Sequence, residues 1–129
     1  AKRFNTHSCN LVVLCHVNQN PPALRGKPEG NRSGKIFLDY RTSKLNIARA
    51  NKASDFLSDQ FPWGFDVIMA RPDDWTKNAL NVQAGYRAWT WCLEPFFGDQ
   101  LVQRRWIEGL GVMKFGSVIA DAVHHAYGG

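Results

Sequence analysis

Apolar positions fall into short runs early in the chain and into helix-spaced rows later. Residues 10–17 (NLVVLCHV) have Leu11, Val13 and Cys15 on one side and Val12, Leu14 and His16 on the other. Both sides are largely apolar, the pattern of a central strand. Residues 35–40 (KIFLDY) predict a second strand, with Ile36, Leu38 and Tyr40 opposite Phe37 and Asp39. Ser43 stands where a helix over 45–60 needs its cap. That helix carries the row Ile47, Ala50, Leu57 and Phe61, widened by Ala53 and Phe56, and Pro62-Trp63-Gly64 stops it. A third strand is predicted over 65–70 (FDVIMA).

The most regular row follows. Trp75, Ala79, Val82, Tyr86, Trp89, Leu93 and Phe96 alternate steps of four and three residues, which predicts one long aromatic helix over 73–94. Pro95 and Gly98 end it. Asp99 is placed to cap a helix bearing Val102, Trp106, Leu110 and Met113, weakened at its end by Gly109 and Gly111. An Ala-rich helix over 117–127 completes the order β-β-α-β-α-α-α. The fold class read from this order is α/β (or α+β). It is a small mixed sheet of about three strands with a βαβ unit, covered by three to four helices, in a single domain over 1–129.

Between the first two strands lies 18–34, NQNPPALRGKPEGNRSG. Its prolines, glycines and net +2 charge predict a flexible basic loop, long enough to suggest a function.

Charge sharpens the picture. Ten of the sixteen basic residues lie in positions 1–52 against two acids, Glu29 and Asp39, for a formal +8. Positions 53–129 hold six basic and nine acidic residues, a formal −3, and together the two parts give the net +5. A one-sided cationic field attracts polyanions. Arg25, Lys27, Arg32, Lys35, Arg41, Lys44, Arg49 and Lys52 are therefore the candidate phosphate contacts, and whichever of Tyr40 and Phe37 is exposed is placed to stack a base. The leading expectation is a small nucleic-acid-binding protein, RNA slightly ahead of DNA.

An enzyme is the alternative. Asp39 and Asp74, near or beyond the carboxyl ends of strands, are the candidate ligands for Mg²⁺, with Lys44 supplying a positive charge for phosphoryl transfer or nucleic-acid cleavage. The simpler reading makes Asp73 a helix cap and Asp74 a first-turn acid. A third alternative is an interaction subunit that buries part of its five tryptophans against a protein partner.

Other signals exclude more than they propose. Three cysteines, Cys9, Cys15 and Cys92, cannot all pair within one chain, which favours a reduced, cytoplasmic protein with buried thiols; one disulfide and a free thiol is the other option. His7, Cys9, Cys15 and His16 look like a metal set. In a strand, however, Cys9 and Cys15 stand about 20 Å apart. His124 and His125 diverge by about 100° on a helix and suit a helix end better than a shared metal. No stretch approaches the roughly 20 apolar residues of a membrane span. No P-loop or GxGxxG is present.

Two short segments and one longer stretch resemble known families. GKIFLDY at 34–40 is similar to a metal-binding segment of ligase-associated primase-polymerase domains, with Asp39 in the matching place. GFDVIMARPDDW at 64–75 resembles the strand-and-proline motif of class I methyltransferases. The order over 11–75, with Ser43-Lys44, Arg49 and Lys52, is similar to the bacterial ribonuclease P protein. The three are mutually incompatible, and no family is assigned from them.

Overall fold

A computed structural model of the protein describes residues 10–128. His7 and Cys9, and the cations Lys2 and Arg3, lie outside the described residues. The elements are β1 (Leu11–Cys15), β2 (Gly34–Asp39), α1 (Lys44–Gln60), β3 (Phe65–Ala70), α2 (Lys77–Gln83), β4 (Trp89–Glu94), α3 (Leu101–Leu110) and α4 (Val112–Gly128). A single 3-10 turn at Pro22–Leu24 interrupts the loop between β1 and β2.

The sheet has four strands in the order β1-β4-β2-β3. Strands β2 and β3 are parallel, from Gly34 opposite Phe65 to Asp39 opposite Ala70, and α1 joins them as the expected βαβ unit. Strands β1 and β4 are also parallel, Leu11 opposite Trp89 through Cys15 opposite Leu93. The two pairs meet antiparallel, with Lys35 opposite Glu94 and Phe37 opposite Cys92. The mixed α/β architecture thus matches the expectation, with one strand more.

That strand corrects the sequence reading. The predicted helix over 73–94 is a short helix, a turn and a strand. Read as a helix, 89–93 (WTWCL) offers one stripe to a core. As a strand it fills both faces, Trp91 and Leu93 entering the main core and Cys92 the opposite one with Phe37. Aromatic and β-branched residues favour that outcome. The four-three spacing of the row is outweighed by the cover that the sheet gives both faces of this stretch. The expected helix from Asp99 also ends early. Gly111, at φ 87°, breaks it from α4, a conformation open to glycine and strained for other residues.

The main core lies under one sheet face. Ile36, Leu38, Trp91 and Leu93 pack against Leu57 of α1, Phe61 just past its end and Val118 of α4. Ala50, Ala53, Ala122 and Ala126 are all buried in the same cluster. Small side chains of this kind let two helices approach closely. Ser43 caps α1 as expected, accepting from the Asn46 amide at 3.1 Å. Asn46 is fully buried and satisfied, accepting from Trp91 Nε1 at 2.8 Å and donating to Thr42 at 3.0 Å.

The other face is covered only in part. Phe37, Ala70, Leu80 and Cys92 form a small cluster beneath the seven-residue α2. Between α2 and the carboxyl ends of β1 and β4 lies a cavity.

Candidate active site

The cavity is about 210 Å³ and is lined by His16, Phe37, Trp75, Cys92 and Glu94, among others. Its position follows from the β1–β4 pairing. The His16 amide donates to the Leu93 carbonyl at 2.9 Å, and the Asn18 amide donates to the Phe96 carbonyl at 3.1 Å. The ladder thus runs past the named strands and puts His16 and Glu94 on the face that α2 partly covers, where Asn78, Ala79 and Val82 of α2 line the cavity with them. Sites in open α/β sheets form beyond the carboxyl ends of strands.

Glu94 is only partly exposed. Burial pushes its carboxyl up to about 7, against a weaker pull down from Lys35. Lys35 lies opposite it in the antiparallel register yet is turned to other partners. Its ammonium donates to Ser33 Oγ at 2.6 Å and Asp66 Oδ2 at 3.1 Å, with only 5% of the residue exposed. The Ser33 hydroxyl, then the Lys35 ammonium, hold the Asp66 carboxyl below its usual range. The Cys92 thiol is pushed up to about 12 by burial and by Glu94, so it is no nucleophile at neutral pH. The cavity therefore offers a carboxyl that exchanges its proton near neutrality and an exposed imidazole, the two groups most used for general acid–base chemistry.

The predicted basic residues do not form one patch. Arg25, Lys27 and Arg32 are exposed on the 18–34 loop, at the amino end of β2. Lys35 is buried in its ion pair. Arg41 grips Asp39 in a two-pronged pair, 3.0 Å from Nε to Oδ1 and 2.8 Å from Nη2 to Oδ2. Arg41 and the exposed Lys44 lie past the other end of β2, about 20 Å away at strand rise. Arg49 stacks over Tyr127 at 4.1 Å and Trp89 at 5.6 Å, while Lys52 is exposed on α1. Tyr40 is 38% exposed between Arg41 at 5.2 Å and Arg71 at 5.5 Å. Phe37 is buried and cannot stack a base.

The aspartates have local partners. Asp39 gives both oxygens to Arg41, which hold its carboxyl low. Asp74 accepts from the Thr76 hydroxyl and, at 2.8 Å, from the Thr76 amide, so it, rather than Asp73, steadies the approach to α2. Among the described residues no three of His, Cys, Asp and Glu converge as a metal shell. Cys15 and Cys92 are free thiols; Cys92 is buried as expected, but Cys15 is exposed at its strand end. His125 lies in the last turn of α4 against Phe56, in keeping with a helix-end role.

The loop over 18–34 is built around Asn20, which is 2% exposed. Its amide and Nδ2 donate to the two oxygens of Asp99 at 2.9 and 3.0 Å, and its Oδ1 accepts from the Asn31 amide at 2.7 Å. Asp99 also accepts from the Gly26 amide at 2.8 Å. Asp99 thus ties the loop instead of capping α3, whose cap position is Gln100.

Sequence reasoning missed Glu94 and passed over His16. Both followed from reading 89–94 as helix, which hid a strand end before Pro95. The alternation in WTWCLE followed by PFFG was the available signal.

No protein-family profile and no curated protein matches the chain. Among solved structures, the chain is similar to the catalytic domain of the CD27L endolysin targeting Clostridia difficile, with a TM-score of 0.65 and 16% identity. The match covers 94% of this chain and 57% of that one, so the chain spans little more than half its length. At that identity the likeness is one of fold. Among the described residues no helix is long and apolar enough to cross a membrane.

Proposed function

We propose that the chain carries an acid–base site of a hydrolase acting on bacterial cell-wall polymer. The observation behind this reading is that His16 and Glu94 line one cavity at the carboxyl ends of two parallel strands. The fold likeness to an endolysin catalytic domain is the reason for choosing cell-wall polymer as the substrate class to test. A carboxyl near 7 takes a proton from an attacking water in its ionised form and returns one to a leaving group in its neutral form. His16, at the exposed rim, orients water or substrate opposite it. The test is the pH–rate profile on purified peptidoglycan. Wild type is expected to show an inflection near 7 that Glu94→Gln lacks; a flat wild-type profile rules the reading out.

The charge split supports a second reading, a cytoplasmic protein that binds RNA. Here Tyr40, flanked by Arg41 and Arg71, stacks a base, and Lys44 meets a phosphate. Tyr40→Ala with Arg71→Glu then weakens RNA binding, and affinity falls with salt. Salt-independent binding, or none, removes this reading.

A further inference from the structure

Beside the His16–Glu94 cavity runs a larger groove of about 820 Å³, between the 18–34 loop and the turn before α2. Leu24, Arg25, Asn31, Arg32, Trp75 and Phe97 are among its walls. Trp75 and Asn18 line both the groove and the cavity, so the two form one surface. We propose that this groove is the substrate-binding arm of the site, where Trp75 receives a sugar ring and Arg25 and Arg32 receive the peptide carboxylates of a cell-wall strand. This rests on the hydrolytic reading above.

Three observations carry it. First, Trp75 is 67% exposed although indoles usually seek cover. Its contact with Phe37, 5.8 Å between centroids at 79°, is edge-to-face, a geometry that fixes the indole without sandwiching it. Second, the cations are unspent. Among the described residues no acid pairs with Arg25 or Arg32, in contrast to Lys35 and Arg41. Arg25 donates its Nε to the Asn20 carbonyl at 3.1 Å, which anchors the guanidinium on its own loop. An arginine fork suits carboxylates in particular. Glu29 is the one acid in the lining.

Third, the wall is fixed before any ligand arrives. Asp99 holds Asn20 and Gly26, Gln100 Nε2 donates to the Lys27 carbonyl at 3.0 Å, and Gln103 Nε2 donates to the Arg32 carbonyl. Gly30 closes the loop so tightly that a Cβ there would stand 2.8 Å from the Leu24 carbonyl. A pre-formed wall spares the ordering cost of binding. Peptidoglycan combines rings with free carboxylates on one chain, which is the chemistry this wall presents a match for.

The experiment is co-sedimentation with purified peptidoglycan, using Glu94→Gln as the background so that the polymer stays intact. Arg25→Glu with Arg32→Glu, and separately Trp75→Ala, are each expected to weaken binding at least about tenfold. Arg25→Lys with Arg32→Lys retains more binding than the glutamate pair. Peptidoglycan whose carboxylates have been amidated binds as poorly as the glutamate pair binds the native polymer. Thermal unfolding confirms that each variant is folded. Unchanged binding in the folded charge-reversed variant overturns the proposal, and so does single-stranded RNA that displaces the protein from peptidoglycan through the same residues. Groove-dependent binding by a wild type that cleaves nothing leaves the groove standing as a peptidoglycan-binding surface and removes the hydrolytic reading alone.

Discussion

Glu94→Gln is expected to make the protein more stable at pH 8 while it removes the acid–base group. The cause is the half-buried carboxyl, raised from 4.5 to about 7. Between those values the folded state holds a proton that the unfolded chain releases. Stability therefore falls as pH rises through this window, since the unfolded state binds fewer protons. A tenfold change in a proton equilibrium is worth about 1.4 kcal/mol, so the full displacement corresponds to about 3 kcal/mol at most. Glu94 retains contact with solvent, which screens part of it and leaves about 1–2 kcal/mol. Glutamine keeps the shape without the charge. The assay is urea unfolding of both proteins at pH 5 and pH 8. Wild type loses about 1–2 kcal/mol between the two conditions and Glu94→Gln loses less, the gap opening between pH 4.5 and 7. Equal losses would refute the reasoning, because they would mean that Glu94 ionises as freely folded as unfolded.

Asp99→Ala removes three hydrogen bonds that tie the 18–34 loop. It is expected to destabilise the protein by about 1–2 kcal/mol, at the lower end for bonds open to water, and to speed amide exchange at Asn20 and Gly26; unchanged exchange would show that the loop is held otherwise. Burial pushes the Asp99 carboxyl up, but the bonds from Gly26 and Asn20 outweigh it and hold it low. The loop's contribution is accordingly present above the ordinary carboxylate range and lost as pH falls through the lowered value. Ala53→Leu overfills the buried contact of α1 and costs about 1–3 kcal/mol in chemical denaturation; a neutral result would mean that α1 has room to shift. Iodoacetamide labels Cys15 in the folded protein faster than Cys92, read by peptide mass spectrometry over pH 7.5–9, because Cys15 is exposed and Cys92 buried; burial raises both thiols, Cys92 up to about 12, and equal labelling would mean that the sheet does not protect Cys92.

The legible parts of the fold were those where local pattern and tertiary packing agree. Residues 11–15, 34–39 and 65–70 are strands whose flanking breakers could be read, and Ser43 marks α1 because its side chain satisfies a local amide. The stretch 73–94 was illegible for the opposite reason. Its helical spacing was real, but WTWCL gains more from two covered sheet faces than a helix gains from one, and the cover comes from residues far away in sequence. The site suffered most from that error, because Glu94 matters only as the end of a strand beside β1. Basic residues were easy to count and hard to place. Lys35 and Arg41 are spent on Asp66 and Asp39, Arg49 on two aromatic rings, while among the described residues Arg25 and Arg32 line the groove with an exposed indole and have no acid partner.

The central claim, that His16 and Glu94 form a hydrolytic site, meets its most direct test in the clearing of a purified peptidoglycan suspension at pH 7.5. Wild type is run beside Glu94→Gln and His16→Ala. Positioned acid–base groups typically contribute about 100-fold or more to a rate. The account predicts clearing by wild type and a loss of at least about 100-fold in Glu94→Gln, with both variants folded. Clearing at the wild-type rate by Glu94→Gln, or no clearing by wild type, would contradict it.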